Sequence, residues 1–245
     1  MAVRWRLLFA FVGLAATSPA LADSPAPPRS YKDVAPGGTY VFVMIAPGTV
    51  EDDARSWNEE TAARIREIRR AYKQTGMYRN DGSAAPIWTV DWYAYGVHLT
   101  PDGVHLIRPG PWAWLRDGHS PDLDVEAVTF FANGRLLRTY QVGELIDDPS
   151  RLERSVSHYR WQQEGRVSGE SEYTITTLDG NRFVFDVRTG EVVSESRIGR
   201  VFRWGWWVAF GAAAVVVAAW LIWRWSRWRR AEAEPKVAPD CGGIT

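Results

Sequence analysis

The chain has 245 residues with 29 basic and 29 acidic side chains, a formal net charge of zero, and 46% hydrophobic residues. That apolar content excludes a disordered or collagen-like chain, and the charge balance removes the basic excess on which nucleic-acid binders rely. The single cysteine, Cys241, excludes a disulfide framework.

Met1 to Ala22 reads as a secretory signal. Arg4 and Arg6 supply the positive start, Leu7 to Ala16 the short apolar run, and Ala20-Leu21-Ala22 the small-residue cleavage site. Residues 23–38, with Pro25, Pro27, Pro28 and Pro36, read as an extended proline-rich linker. An exported β-rich domain is expected over residues 39–200. It begins with Thr39–Ile45, a β-type apolar run that reads as a buried strand. One amphipathic helix follows, with Thr49 as N-cap, Asp52 completing a capping box and Gly76 ending it. Its apolar stripe is Ala54, Trp57, Thr61, Ile65, Ile68 and Tyr72, which predicts packing on a sheet face.

From Tyr78 the hydrophobic period becomes two. Asn80-Asp81-Gly82, Pro101-Asp102-Gly103, Asn133-Gly134, Asp179-Gly180 and Thr189-Gly190 punctuate runs such as AVTFF and RFVFDV. Asn-Gly and Asp-Gly supply the positive φ of tight hairpins. The expected fold is therefore mainly β: an antiparallel hairpin meander, as a sandwich or blade-like sheets, with one packed helix and a C-terminal transmembrane helix.

The segment from Pro86 to Trp114 is rich in aromatics. Alternation sends Trp88, Val90, Trp92 and Ala94 one way, into the core, and Asp91, Tyr93 and Tyr95 the other. Pro109-Gly110-Pro111 places Trp112 and Trp114 at a strand end or loop, where exposed aromatics serve recognition. Asp91, Tyr93, Tyr95, Trp112 and Trp114 are therefore the candidate contact residues.

Two groups have the chemistry of metal ligands. His98 and His105 flank the Pro101-Asp102-Gly103 turn and share a metal only if the register pairs them. Asp122, Asp124 and Glu126 alternate onto one side of an extended segment and are oxygen ligands suited to Ca²⁺. Ser157 and His158 are adjacent, so on a strand they point to opposite faces and form no nucleophile–base pair. No P-loop, HExxH, GxSxG or dinucleotide fingerprint occurs, and no cofactor is indicated.

FVFDVRTGEVV, Phe183 to Val193, resembles the strand–turn–strand core of PQQ-type and related β-propeller blades. GVHLTPDGVHLI and AVTFFANGRLLRTYQV together resemble a second blade. The resemblance implies four-stranded meanders. Two such units do not close a ring of about four to eight blades, so it implies no quinone cofactor and no site residue. The longer pattern from Gly76 to Trp114, continuing to Trp161, is similar to an uncharacterised family of exported, membrane-anchored bacterial proteins.

Trp204 to Trp223 carries no charge and is long enough, at about 1.5 Å per residue, to span a ~30 Å hydrocarbon layer. Tryptophans mark both of its edges, and Arg224, Arg227, Arg229 and Arg230 follow, which predicts a cytoplasmic tail over residues 224–245. Gly205, Ala209 and Ala213 form a small-residue row suited to homodimer contact. Without the two signal arginines and the five basic and three acidic residues of the tail, 22 basic and 26 acidic residues remain, a net −4 for the exported part. The expectation is a single-pass protein of the cytoplasmic membrane. Its exported domain binds or scaffolds an envelope protein or polymer. The alternative is an exported hydrolase-like enzyme using loop carboxylates with a bound cation.

Overall fold

The computed structural model describes residues 25–169, 171–198 and 210–225. Within them the chain is mainly β, with four four-stranded antiparallel sheets and few helices. The first sheet is a meander of β1 (Tyr31–Val34), β2 (Tyr40–Met44), β3 (Gly76–Arg79) and β4 (Pro86–Thr89). β1 departs from the expected linker. Tyr31–Val34 contains no proline, and its backbone pairs with β2, Tyr31 lying opposite Met44.

The expected single helix is two. Helix α1 (Val50–Arg55) starts with the predicted capping box of Thr49 and Asp52. Asn58 then caps a second helix, α2 (Glu59–Ala71), by accepting a hydrogen bond from the Thr61 amide at 2.9 Å. A capping side chain in the middle of the stripe restarts the helix there. The pair covers one face of the first sheet, where Ile68 packs on Val41, Val43 and Tyr78.

The second sheet contains β5 (His98–Leu99), β6 (His105–Pro109), β9 (Glu126–Ala132) and β10 (Arg135–Gln141). These are the strands of the second blade-like unit. A small third sheet is inserted between β6 and β9 and completed later in the chain, from β7 (Ala113–Arg116), β8 (Ser120–Pro121), β11 (Glu153–Arg154) and β12 (His158–Arg160). The fourth is another meander, of β13 (Gln162–Ser168), β14 (Glu172–Thr177), β15 (Arg182–Asp186) and β16 (Val192–Ser196). All five turn signals fall between paired strands, and Asn133 and Gly134 take φ of 50° and 75°.

The three meanders stack. Leu106 and Phe131 of the second sheet join Phe42, Met44, Met77 and Trp88 of the first in one core. Their neighbours Ile107 and Phe130 point the other way, into a core with Tyr173, Ile175, Phe183 and Phe185 of the fourth. Strand β9 is thus buried on both faces, which explains why AVTFF reads as a continuous apolar run rather than an alternating one. The layer order is helices, first sheet, second sheet, fourth sheet. Sheet-on-sheet packing of this kind needs a spacing of about 10 Å, which aromatic side chains fill.

Strand directions place the connections. β6 runs toward, and β9 away from, one end of the second sheet; β10 returns there and continues into the short helix α3 (Val142–Leu145). The fourth sheet has its β14–β15 turn at the same end, because Asn181 donates to the Leu145 carbonyl and Asp179 accepts from the Asp147 amide. Arg182 pairs with Ser196, so the chain leaves β16 at this end too.

Among the described residues no helix is long and apolar enough to cross a membrane. Residues 210–225 are helical and exposed throughout. Residues 204–209 of the expected span, with Gly205 and Ala209, lie outside the described residues, as do the signal segment and residues 226–245.

One buried charge ties the N-terminal arm to the helices. Asp53, with a fully buried carboxylate, accepts from the Ser30 amide at 3.1 and 3.2 Å, the Ser30 hydroxyl at 2.5 Å and Arg69 at 3.1 Å. Arg69 also donates to the carbonyls of Ala46 and Gly48. Removing one partner of such a pair leaves a charge buried without compensation. Asp53→Asn is expected to cost about 3 kcal/mol by denaturant titration of the detergent-solubilised chain. Arg64→Ala, which breaks an exposed pair with Glu60, is expected to change stability by about 0.5 kcal/mol or less.

Candidate binding site

The end of the sheets toward which β6 runs carries a groove of about 530 Å³, within the ~300–1,000 Å³ range of small-molecule sites. One wall is Tyr93–Gly96, the connection leading into β5; the other is Pro109–Trp112, the connection leaving β6. Arg108 and Glu126 form its charged part.

Each wall has a local cause. After β4 ends at Thr89, the segment keeps the predicted division of faces in part, Tyr93 packing against the inner core as well as lining the groove. Trp88, Val90, Trp92 and Ala94 pack into the core between the first two sheets. Tyr93 and Tyr95 turn to the groove, their rings 5.3 Å apart and edge to face. The Tyr93 hydroxyl accepts from the Arg29 amide at 2.9 Å and lies 3.2 Å from the Arg29 carbonyl, which fixes it against the N-terminal arm. Burial pushes this hydroxyl's pKa above the ordinary tyrosine range, so it remains protonated. Tyr95 is half exposed.

On the other wall, Gly110 donates to the Ala127 carbonyl at 2.8 Å. A Cβ at Gly110 would stand 1.8 Å from the Glu126 carbonyl oxygen. Only glycine lets the chain run this close to the β9 backbone, and from there it carries Pro111 and Trp112 outward. Trp112 and Trp114 are both exposed, with ring centroids 6.4 Å apart. Trp114 lies in β7 and not in a loop, paired with His158, whose ring is 4.3 Å from Trp112.

The groove holds a neutralised pair. Arg108 makes three contacts with the Glu126 carboxylate, at 2.7, 2.9 and 3.1 Å. Its guanidinium carbon also lies 4.7 Å from the Trp92 ring centroid and 5.3 Å from that of Phe131. A fork held by a bidentate carboxylate and two ring faces is fixed in orientation. The groove therefore offers aromatic faces, backbone groups and a paired ion, with no isolated charge.

Other candidate residues lie elsewhere. Asp91 is exposed and outside the groove lining. The register pairs His98 with Ile107, not with His105. The His98 ring meets Tyr173 at 5.1 Å, and burial lowers its pKa. His105 Nδ1 lies 2.6 Å from Asp102 Oδ2. Asp122 and Asp124 share Arg116, at 2.7 and 2.9 Å, while Glu126 turns to Arg108. Among the described residues no group of three or more His, Cys, Asp or Glu side chains is arranged to hold a metal. The Ser155 hydroxyl meets His158 Nδ1, at 2.8 Å. The same hydroxyl bonds the His158 backbone, closing the β11–β12 hairpin. No protein-family model and no curated protein matches the chain.

Asp102 provides a pH handle beside the second sheet. Burial pushes its carboxyl up, but hydrogen bonds from Thr100, His105 and the His105 and Val104 amides outweigh this and bring it down to about 2. A depressed carboxylate pKa stabilises the fold above the unfolded value of about 3.9, and that contribution is lost as pH falls through the folded value. Because the side chain is 41% exposed, screening reduces the effect to roughly 1 kcal/mol. The stability difference between the native chain and Asp102→Asn is expected to shrink by that amount between about pH 4 and pH 2, measured by denaturant titration across that range.

Proposed function

We propose that this protein is a membrane-tethered binding module that presents its β domain outside the cytoplasmic membrane and makes contact through the Tyr93–Tyr95–Trp112 groove. The observation that carries the reading is the convergence on one groove of aromatic side chains from two connections 13 or more residues apart in sequence, Tyr93–Gly96 and Pro109–Trp112. Rigid rings with an apolar body and one polar atom give a large contact area at low entropic cost. The Arg108–Glu126 pair orients a ligand without favouring either sign of charge, which suits a ligand that is neutral overall.

Tethering rests on the uncharged Trp204–Trp223 segment, its flanking tryptophans and the arginines that follow. The exposed, apolar character of helical residues 210–225 is in keeping with a lipid environment. The hydrolase alternative would need acid and base groups brought together, and the loop carboxylates are instead held by Arg116 and Arg108.

The test is a photoreactive group at position 96, placed in cells that make the full chain. Gly96 lines the groove and a Cβ there meets nothing within 4 Å. The expected result is a crosslink to an envelope component that is lost in Tyr95→Ala/Trp112→Ala. A crosslink of equal yield from Thr189, in the opposite-end turn, would defeat the reading, and so would none from position 96.

A further inference from the structure

We infer that the groove's ligand is the bilayer itself: the end of the domain bearing Tyr95, Trp112 and Trp114 docks into the headgroup region on the exported side of the membrane. This rests on the tethered reading above and specifies what the tethered surface contacts.

The groove and the anchor leave the domain at the same end. The sheets have two ends, and the groove connections, α3, the β14–β15 turn and the exit from β16 all lie at one of them. The parts are contiguous. Arg197, the residue after β16, donates to the Glu144 carbonyl in α3 at 3.1 Å. The adjacent Gly143 amide donates to the Leu123 carbonyl at 2.8 Å. Next to Leu123, the Asp122 amide bonds the carbonyl of Trp114 at 3.3 Å. The N-terminal arm arrives there too, since Arg29 contacts Tyr93 and the Tyr31 hydroxyl donates to the Ala94 carbonyl.

The tether is short and its root is held. Five residues, 199–203, separate Ile198 from Trp204, a reach of about 20 Å even fully extended. A domain of this size has a radius of gyration of about 16 Å, so its far end is beyond that reach unless the domain rolls over. Arg197 fixes the root of the tether to this end of the domain. Besides Glu144 it meets Asp147 at 3.4 and 3.5 Å and Glu195 at 3.3 Å, and its guanidinium carbon lies 4.9 Å from the Phe183 ring centroid. The side chain is 19% exposed and its Asp147 partner 9%, so this is a sheltered ion pair at the point where the chain leaves.

The chemistry of the end fits the interface. Trp and Tyr settle at the headgroup level because an apolar ring and a polar N–H or O–H are satisfied there together. Tyr95, Trp112 and Trp114 are 51%, 36% and 46% exposed. The ionic groups among them are paired, Arg108 with Glu126 and Arg116 with Asp122 and Asp124. Docking therefore comes from the rings and not from a basic patch, and zwitterionic lipid suffices.

The test uses the full chain with Cys241→Ser, reconstituted in phosphatidylcholine vesicles containing a headgroup-level nitroxide lipid. Single cysteines at positions 96, 189 and 213 carry a fluorophore. Expected are strong quenching at 213, within the span, and quenching at 96 several-fold greater than at 189. Replacing Tyr95, Trp112 and Trp114 together by Ser should bring position 96 down to the level of 189, with the β signal in circular dichroism unchanged. Quenching at 213 with equal values at 96 and 189 would overturn the docking while leaving the tether standing. No quenching at 213 would overturn both.

Discussion

The structure depends on a strand that has no solvent face. Successive residues of β9, Phe130 and Phe131, point into different cores, so the second sheet requires a partner layer on each side. Burying two such rings contributes roughly 1.5–3 kcal/mol each, and neither core closes without the strand between them. The first sheet, with its helix cover, and the fourth sheet are held in place by this demand. The glycine at 110 follows from it as well. The chain leaving β6 stays against the β9 backbone, and its approach to Glu126 leaves no space for a Cβ.

From that close approach the groove is assembled with little further specification. β6 delivers Arg108 to the end of the second sheet, opposite Thr129 of β9, and β9 begins three residues before Thr129 with Glu126, so the long guanidinium side chain reaches the carboxylate diagonally at that end. Trp92 and Phe131, core residues of the inner layer, provide the faces against which the guanidinium rests. The site is thus an outgrowth of the core, and its walls are only as movable as two short connections allow.

Much of this was legible in the sequence, for identifiable reasons. Turn dipeptides fixed the hairpins because positive φ restricts residue choice. The face division of Trp88–Tyr95 persisted in part beyond the end of β4, because the core continues under the loop even where the ladder stops, and there it draws in Tyr93 as well. Tyr93, Tyr95 and Trp112 were placed in the candidate contact set by alternation and by the Pro-Gly-Pro interruption. Arg108 and Glu126 were not recognised as partners, since residues 18 apart meet only through strand pairing. The signal was present in Gly110, whose packing role is invisible until β9 lies beneath it. β1 was hidden by the prolines around it, and the helix break by Asn58 lying inside an otherwise regular apolar stripe. The His98–His105 relation turned on loop length, where one residue of register decides the outcome.

Hydrogen exchange on the full chain in phosphatidylcholine bilayers tests the central claim that a doubly buried strand supports a groove facing the membrane. The account predicts that β6 and β9 amides exchange slowest of all, and that Tyr93–Gly96 and Gly110–Trp112 exchange more slowly in bilayers than in detergent. Amides of β9 exchanging as fast as those of the edge strand β16, with the two groove connections indifferent to the bilayer, would contradict it.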